Sequence, residues 1–127
     1  MEILVFSNRD NRQKDLLLKE ISQIPNLKYR MNFDFDTLFE TITFKASDVV
    51  IVFLISFEDE LDFLISTKRR FFNSRFILIL PDTDETIVSK GLSLHPRYLA
   101  QKDQGFRDVA AVLDKMANPE KPKIYDI

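Results

Sequence analysis

Residues 47–60, SDVVIVFLISFEDE, decide the fold. An unbroken apolar run at 49–55, rich in β-branched residues, is typical of a strand buried on both faces of a parallel sheet. The acids Glu58, Asp59 and Glu60 follow at once, and acids are favoured in the first turn of a helix. This stretch therefore predicts a central β-strand that leads directly into an α-helix.

The rest of the chain repeats this β-then-α order. The predicted strands are 3–6, 28–33, 48–55, 75–80 and 97–100, and the predicted helices are 11–24, 36–45, 58–70, 84–90 and 106–116. The weak alternation of KYRMNF indicates an edge strand, and Gly91 is the expected C-terminal cap of the fourth helix. Five such units predict a three-layer α/β sandwich, with a flavodoxin-like, doubly wound, five-stranded parallel sheet of order 2-1-3-4-5.

Length and composition narrow the function. A chain of 127 residues predicts one domain, 1–117, followed by a Pro- and charge-rich tail, 118–127. The absence of cysteine excludes thiol catalysis and cysteine-based zinc sites. A net charge of −2 lacks the basic excess of a nucleic-acid reader, and the apolar run at 49–55 is too short to cross a membrane. We therefore expect a cytoplasmic protein that binds neither nucleic acid nor membrane.

Several local patterns resemble the receiver domain of bacterial response regulators, the CheY-like domain, over roughly residues 2–117. The opening EILVFSNRD resembles the receiver strand that ends in paired acids, and SDVVIVF resembles the strand that ends in the phosphorylated aspartate. FILILPD resembles the strand that ends in Ser or Thr, and GLSLHPRYLAQKD resembles the passage with an aromatic residue shortly before an essential lysine. The resemblance implies a role in two-component signal transduction.

The chemical positions of that family are changed in this sequence. Position by position, Ser7 and Asn8 align with the metal-holding acids, Phe53 with the acceptor aspartate and Leu80 with the hydroxyl residue. Gln101 aligns with the lysine, or Lys102 does if this sequence has one extra residue. Aspartyl phosphorylation needs a carboxylate nucleophile, an oxygen-ligated Mg²⁺ and groups that meet the phosphoryl charge. The resemblance therefore implies a degenerate pocket with no catalytic residue, metal or cofactor.

The function expected from this pattern is that of a pseudo-receiver, which is not phosphorylated on aspartate, is not an enzyme, and acts by protein–protein interaction. In receivers, the fourth helix, fifth strand and fifth helix contact partners. The resemblance implies contact there with a signalling protein or a second copy, through Val88, Leu92, Leu94, Tyr98, Phe106 and Arg107.

Other functions remain open at this stage. A flavodoxin-like domain could bind a small ligand or nucleotide at the C-terminal edge of its sheet. An enzyme site of Asp10, Asp82 and Lys102 has little support, because no nucleophile–base pair is visible. The basic run KRRFF at 68–72, with Arg75, could contact phosphate groups, although bases at a helix end more often complement its dipole.

Overall fold

The protein is described by a computed structural model. The residues it describes are 1–8, 11–44 and 48–119, and of Phe44 it describes only the backbone. Asp10 and the predicted tail from residue 120 onward lie outside these ranges. The strands are β1 Glu2–Phe6, β2 Lys28–Asn32, β3 Val49–Leu54, β4 Arg75–Leu80 and β5 Tyr98–Gln101. The helices are α1 Arg12–Ser22, α2 Phe35–Phe44, α3 Glu58–Ser66, α4 Glu85–Ser93 and α5 Arg107–Ala117.

The strands within the described ranges form one parallel sheet of order β2-β1-β3-β4-β5. This arrangement confirms the predicted flavodoxin-like fold, with β3 in the centre and β2 at an edge. None of the helices in these ranges has both the length and the apolar character needed to cross a bilayer.

The core has two halves, one on each face of the sheet. Successive strand residues point to opposite faces, so Phe53 lies on one face while Val52 and Leu54 lie on the other. The first half joins the sheet to α2, α3 and α4, and the second joins it to α1 and α5. Apolar residues therefore cover both faces of β3, as the continuous run at 49–55 predicts.

The third helix ends earlier than its sequence predicts. α3 stops at Ser66, and Lys68–Arg70 forms a separate 3₁₀ turn. The Thr67 hydroxyl donates to the Phe63 carbonyl at 2.8 Å, and the Thr67 amide is shared between the Phe63 and Leu64 carbonyls. These bonds satisfy the helix end, so the three basic residues lie beyond the last turn that they were expected to complement.

The predicted cap at Gly91 is also wrong, because this glycine lies inside α4. A Cβ atom there would come within 3.1 Å of Leu99 Cδ1 and 3.2 Å of Leu80 Cδ2, so glycine allows α4 to approach the sheet closely. The helix instead ends at Leu94, followed by His95 with a left-handed φ of 55°, whose amide donates to the Leu92 carbonyl at 3.1 Å.

An ion-pair clamp joins α3 to α4 on the surface. Lys90 Nζ lies 2.6 Å from Asp62 Oδ1 and 2.6 Å from Glu58 Oε2. The hydrogen bond to Asp62 makes the largest contribution to raising the pKa of Lys90 above its ordinary value, and the hydrogen bond to Glu58 makes the next largest. Because the three groups are exposed to solvent, the clamp orients the two helices more than it stabilises them.

Candidate functional site

Phe53, at the position expected to carry a receiver's chemistry, is part of the core. It lies opposite Phe6 of β1 and Leu78 of β4, and no part of its side chain is exposed. Its ring centroid is 5.4 Å from that of Phe71 and 5.9 Å from that of Phe76, both edge-on. Leu80 is buried in the same half of the core. This part of the sheet edge is therefore filled by apolar side chains.

Phe53 belongs to a network that we call the phenylalanine cluster. Its members are linked by ring contacts and are Phe6, Phe35, Phe39, Phe53, Phe63, Phe71 and Phe76. The shortest link stacks Phe6 on Phe35 at 4.1 Å. Offset-stacked and edge-on pairs at such distances stabilise a core beyond simple area burial. The cluster joins the central strands to α2, α3 and the start of β4.

The aligned metal-binding positions carry neutral groups. Ser7 is fully buried and its amide donates to the Asn32 carbonyl at 3.1 Å, whereas Asn8 is exposed. Within the ranges that the structure describes, no three His, Cys, Asp or Glu residues are grouped as a metal site would require. Asp82 is exposed and accepts a hydrogen bond from the Asp84 amide at the start of α4, so it serves a turn.

The turn between β3 and α3 is held by the side chain of Glu60. The buried carboxylate of Glu60 accepts hydrogen bonds from the amides of Ser56, at 2.6 Å, and Phe57, at 3.1 Å. Free amides at a helix N-terminus attract anions, but these two already have an internal anion. A Glu at the third position of a helix is a known capping signal. The prediction from sequence instead explains Glu60 by the helix dipole alone.

A small polar cleft remains open beside this turn. It has a volume of about 220 Å³ and lies between Asn11 and Gln13 of the α1 start, Ser56 and Phe57 of the turn, and Lys102. Gln101 is still part of β5, where it pairs with Leu80. Of the two candidates for the receiver lysine, the structure therefore brings Lys102 to the open edge.

The expected interaction face is only partly exposed. Leu94 and Phe106 are buried, at 2% and 4% exposure, because Leu94 packs against the sheet beneath α4 and Phe106 beneath α5. These two residues belong to the core, which corrects that part of the expectation. Val88 and Tyr98 are half-buried, and Leu92 and Arg107 are exposed. We use the name interaction face below for the last four residues.

The fold is shared with three solved structures of low sequence identity. A pilus assembly-related protein of Burkholderia pseudomallei is 13% identical, with a TM-score of 0.68 over 96% of this chain and 92% of its own. A pilus assembly protein (CpaE) of Burkholderia thailandensis is 15% identical, with a TM-score of 0.69 over 93% and 98%. The response regulator domain of Thermotoga maritima CheB is 20% identical, with a TM-score of 0.62 over 96% and 98%.

Neither an established sequence family nor a curated protein matches the chain.

Replacing Phe53 tests whether its ring is part of the core. We expect Phe53→Asp to destabilise the fold by more than about 3 kcal/mol, because a carboxylate among phenylalanine rings has no compensating partner. Phe53→Leu keeps an apolar group of similar size and should cost about 1–2 kcal/mol. Urea unfolding followed by circular dichroism measures both. Equal stability of the two variants would show that position 53 faces the solvent.

Glu60 offers a second test, on the turn. Glu60→Ala should destabilise the protein by about 1–3 kcal/mol, because two amides lose their acceptor. Glu60→Gln retains an acceptor oxygen and should cost less. Asp59→Ala, at an exposed acid in the same helical turn, is the matched control and should change stability by no more than about 0.5 kcal/mol. If Glu60→Ala and Asp59→Ala behave alike, the turn does not depend on this carboxylate.

The order of the strands, the two-sided core and the similar solved structures together establish that this chain has the flavodoxin-like α/β fold seen in CheY-like receiver domains.

Proposed function

We propose that the chain is a pseudo-receiver: a receiver-like domain of two-component-type signalling that is not phosphorylated on aspartate and acts by binding another protein. The burial of Phe53 carries this proposal. A phenylalanine has no nucleophilic group, and its ring is packed where a receiver would present its acceptor carboxylate.

The surroundings of Phe53 support the same conclusion. Glu60 places a carboxylate on the turn amides, so an incoming phosphoryl group would meet negative charge where it needs donors. Ser7 and Asn8 are neutral, and neutral ligands attract Mg²⁺ more weakly than carboxylates do. Among the described residues that line the cleft at this edge, Lys102 is the one base that could meet a phosphoryl group.

The interaction face supports a protein-binding role. It flanks the exposed edge of β5, with α4 on one face of the sheet and α5 on the other. Leu92, in the last turn of α4, is 56% exposed, and Arg107, at the start of α5, is exposed. Arginine is enriched in protein interfaces. The fold occurs in a response regulator and in pilus assembly proteins, and protein binding is a role suited to both settings.

Phosphorylation by a small-molecule donor tests the first half of the proposal. After incubation with acetyl phosphate and Mg²⁺, we expect the intact mass to stay unchanged, because the buried ring of Phe53 stands at the acceptor position and is not a nucleophile. A receiver domain that retains its aspartate serves as the positive control and must gain one phosphoryl group. A stable phosphoryl adduct mapped to an aspartate of this chain would overturn the proposal.

Charge placed on the interaction face tests the second half. We expect Leu92→Asp combined with Arg107→Asp to weaken binding to a protein partner or to a second copy by at least about tenfold, because like charge and lost apolar contact both oppose association. Affinity capture with quantitative mass spectrometry follows partners, and sedimentation velocity follows self-association. Both exposed positions should tolerate the change, so an unchanged melting temperature is the control. Retention of every interaction would contradict this face.

A flavodoxin-like binder of small ligands or nucleotides is the alternative. The polar cleft beside Lys102 favours it, since it lies at the C-terminal edge where such ligands bind. Its volume of about 220 Å³ is below the roughly 300–1,000 Å³ of most ligand sites, and the turn amides beside it are already bonded to Glu60. Saturable binding of a flavin or nucleotide at this cleft would favour the alternative.

A further inference from the structure

The opposite, N-terminal edge of the sheet carries a second cleft. It has a volume of about 340 Å³ and is formed by the 3₁₀ turn after α3, the start of β4 and the loop before β5. Lys68, Arg75 and Arg97 line it together with His95, and Asn73 and Ser74 add neutral polar groups. None of the described residues that line the cleft is acidic, and Phe72, Phe76 and Leu94 add apolar groups to it. The charged side chains that the cleft presents to a ligand are therefore basic.

Most of this charge is not neutralised inside the molecule. Arg75 Nη2 lies 3.9 Å from Asp48 Oδ1, and Asp48 is also 3.3 Å from the N-terminal amine. Lys68 and Arg97, in contrast, form no ion pair with any residue in the described ranges. Two unpaired cations beside a concave surface favour an anionic ligand.

An apolar hollow continues the same surface. It shares Lys68 and Phe72 with the cleft, and Ile65 and Arg69 also line it. Phe72 is 56% exposed and Ile65 is 40% exposed. The combined surface, which we call the basic cleft, thus joins cations to exposed apolar groups.

We propose that the basic cleft binds an acidic segment of a partner protein, with carboxylates on Lys68 and Arg97 and an apolar side chain on Phe72. Arginine and aromatic residues are the usual anchors of protein interfaces, and a guanidinium matches a carboxylate in two-pronged geometry. The net charge of −2 disfavours nucleic acid as the ligand. The inference rests on the protein-binding half of the proposed function and assigns it a second surface, which adjoins the interaction face at Leu92 and Tyr98.

The test uses a short peptide of glutamate and leucine residues, titrated into the ¹⁵N-labelled protein. We expect amide shifts at residues 68–75 and 95–97, and a Kd that rises at least about tenfold for Lys68→Glu with Arg97→Glu, because attraction becomes repulsion. Arg12→Glu with Lys19→Glu changes the net charge equally on α1, across the sheet, and is the matched control. If the charge-reversed variant does not fold, the neutral variant Lys68→Gln with Arg97→Gln replaces it in the titration.

Other probes identify the class of ligand. The same peptide with glutamine in place of glutamate should not shift these amides. An unchanged peptide Kd in both cleft variants would overturn the inference, as would tighter binding of sodium phosphate or a single-stranded oligonucleotide at the same amides. Unlabelled protein can also be added in place of the peptide. Amide shifts centred on the acidic C-terminal edge of the sheet would then show that a second copy of the chain is the ligand, and would also overturn the inference.

Failure here differs from failure of the proposed function. If the peptide does not bind but the changes at Leu92 and Arg107 abolish partner binding, the proposed function stands and the basic cleft has no such role. If acetyl phosphate modifies an aspartate, the pseudo-receiver proposal fails, whatever the peptide does. The acetyl phosphate measurement probes the C-terminal edge of the sheet and the peptide titration probes the N-terminal edge, so these two report independently.

Discussion

The contact of Phe53 with its neighbouring rings is the constraint on which the C-terminal edge of the sheet depends. β3 is the central strand, so a side chain at its end lies between β1 and β4. There the Phe53 ring contacts the ring of Phe6, on the neighbouring strand β1, and the ring of Phe71, which follows the 3₁₀ turn. A ring at this point must be covered from every side, and the phenylalanine cluster supplies that cover. A polar pocket in the same place would require several of these rings to change together.

The charged groups around the cluster follow from its presence. Once apolar side chains fill the sheet edge, the amides of the β3–α3 turn need an acceptor from within the chain, since buried donors without partners are costly. Glu60 provides it, and the turn holds the start of α3 against the sheet. At the far end of the cluster, the Arg70 guanidinium lies 4.6 Å from the Phe39 ring. The cluster thus fixes Arg70, while Lys68 forms no ion pair with any residue of the described ranges.

The sequence predicted the architecture well because the fold depends on local patterns. The run at 49–55, the weak strand at 28–33 and the alternation of strands with helices sufficed for the sheet order. The errors at Gly91, Leu94 and Phe106 share another cause, because each depends on how closely a helix approaches the sheet. That distance is set by side chains of other elements, such as Leu80 and Leu99 against Gly91, which periodicity does not encode.

The site was predictable only in part, for a related reason. A neutral Phe53 could be recognised from the aligned strand alone, but its ring partners are Phe6 of β1, Phe71 of the turn before β4 and Phe76 of β4. Glu60 was visible as an acid, yet its partners, the amides of Ser56 and Phe57, become evident only when the turn is folded. The run at 68–70 was assigned to a helix end, and its separate turn depends on the local bonds of Thr67.

The two edges of the sheet differ in charge because strands and helices run in opposite directions in βα units. Helix N-termini gather at the C-terminal edge, and their preferred acids, such as Glu58 and Asp84, gather there with them. Helix C-termini and the basic turn at 68–70 lie at the other edge. An anion approaching the C-terminal edge therefore meets these acids, whereas the basic groups of the N-terminal edge attract it. In the pseudo-receiver that we propose, an anionic partner would bind more readily at the N-terminal edge.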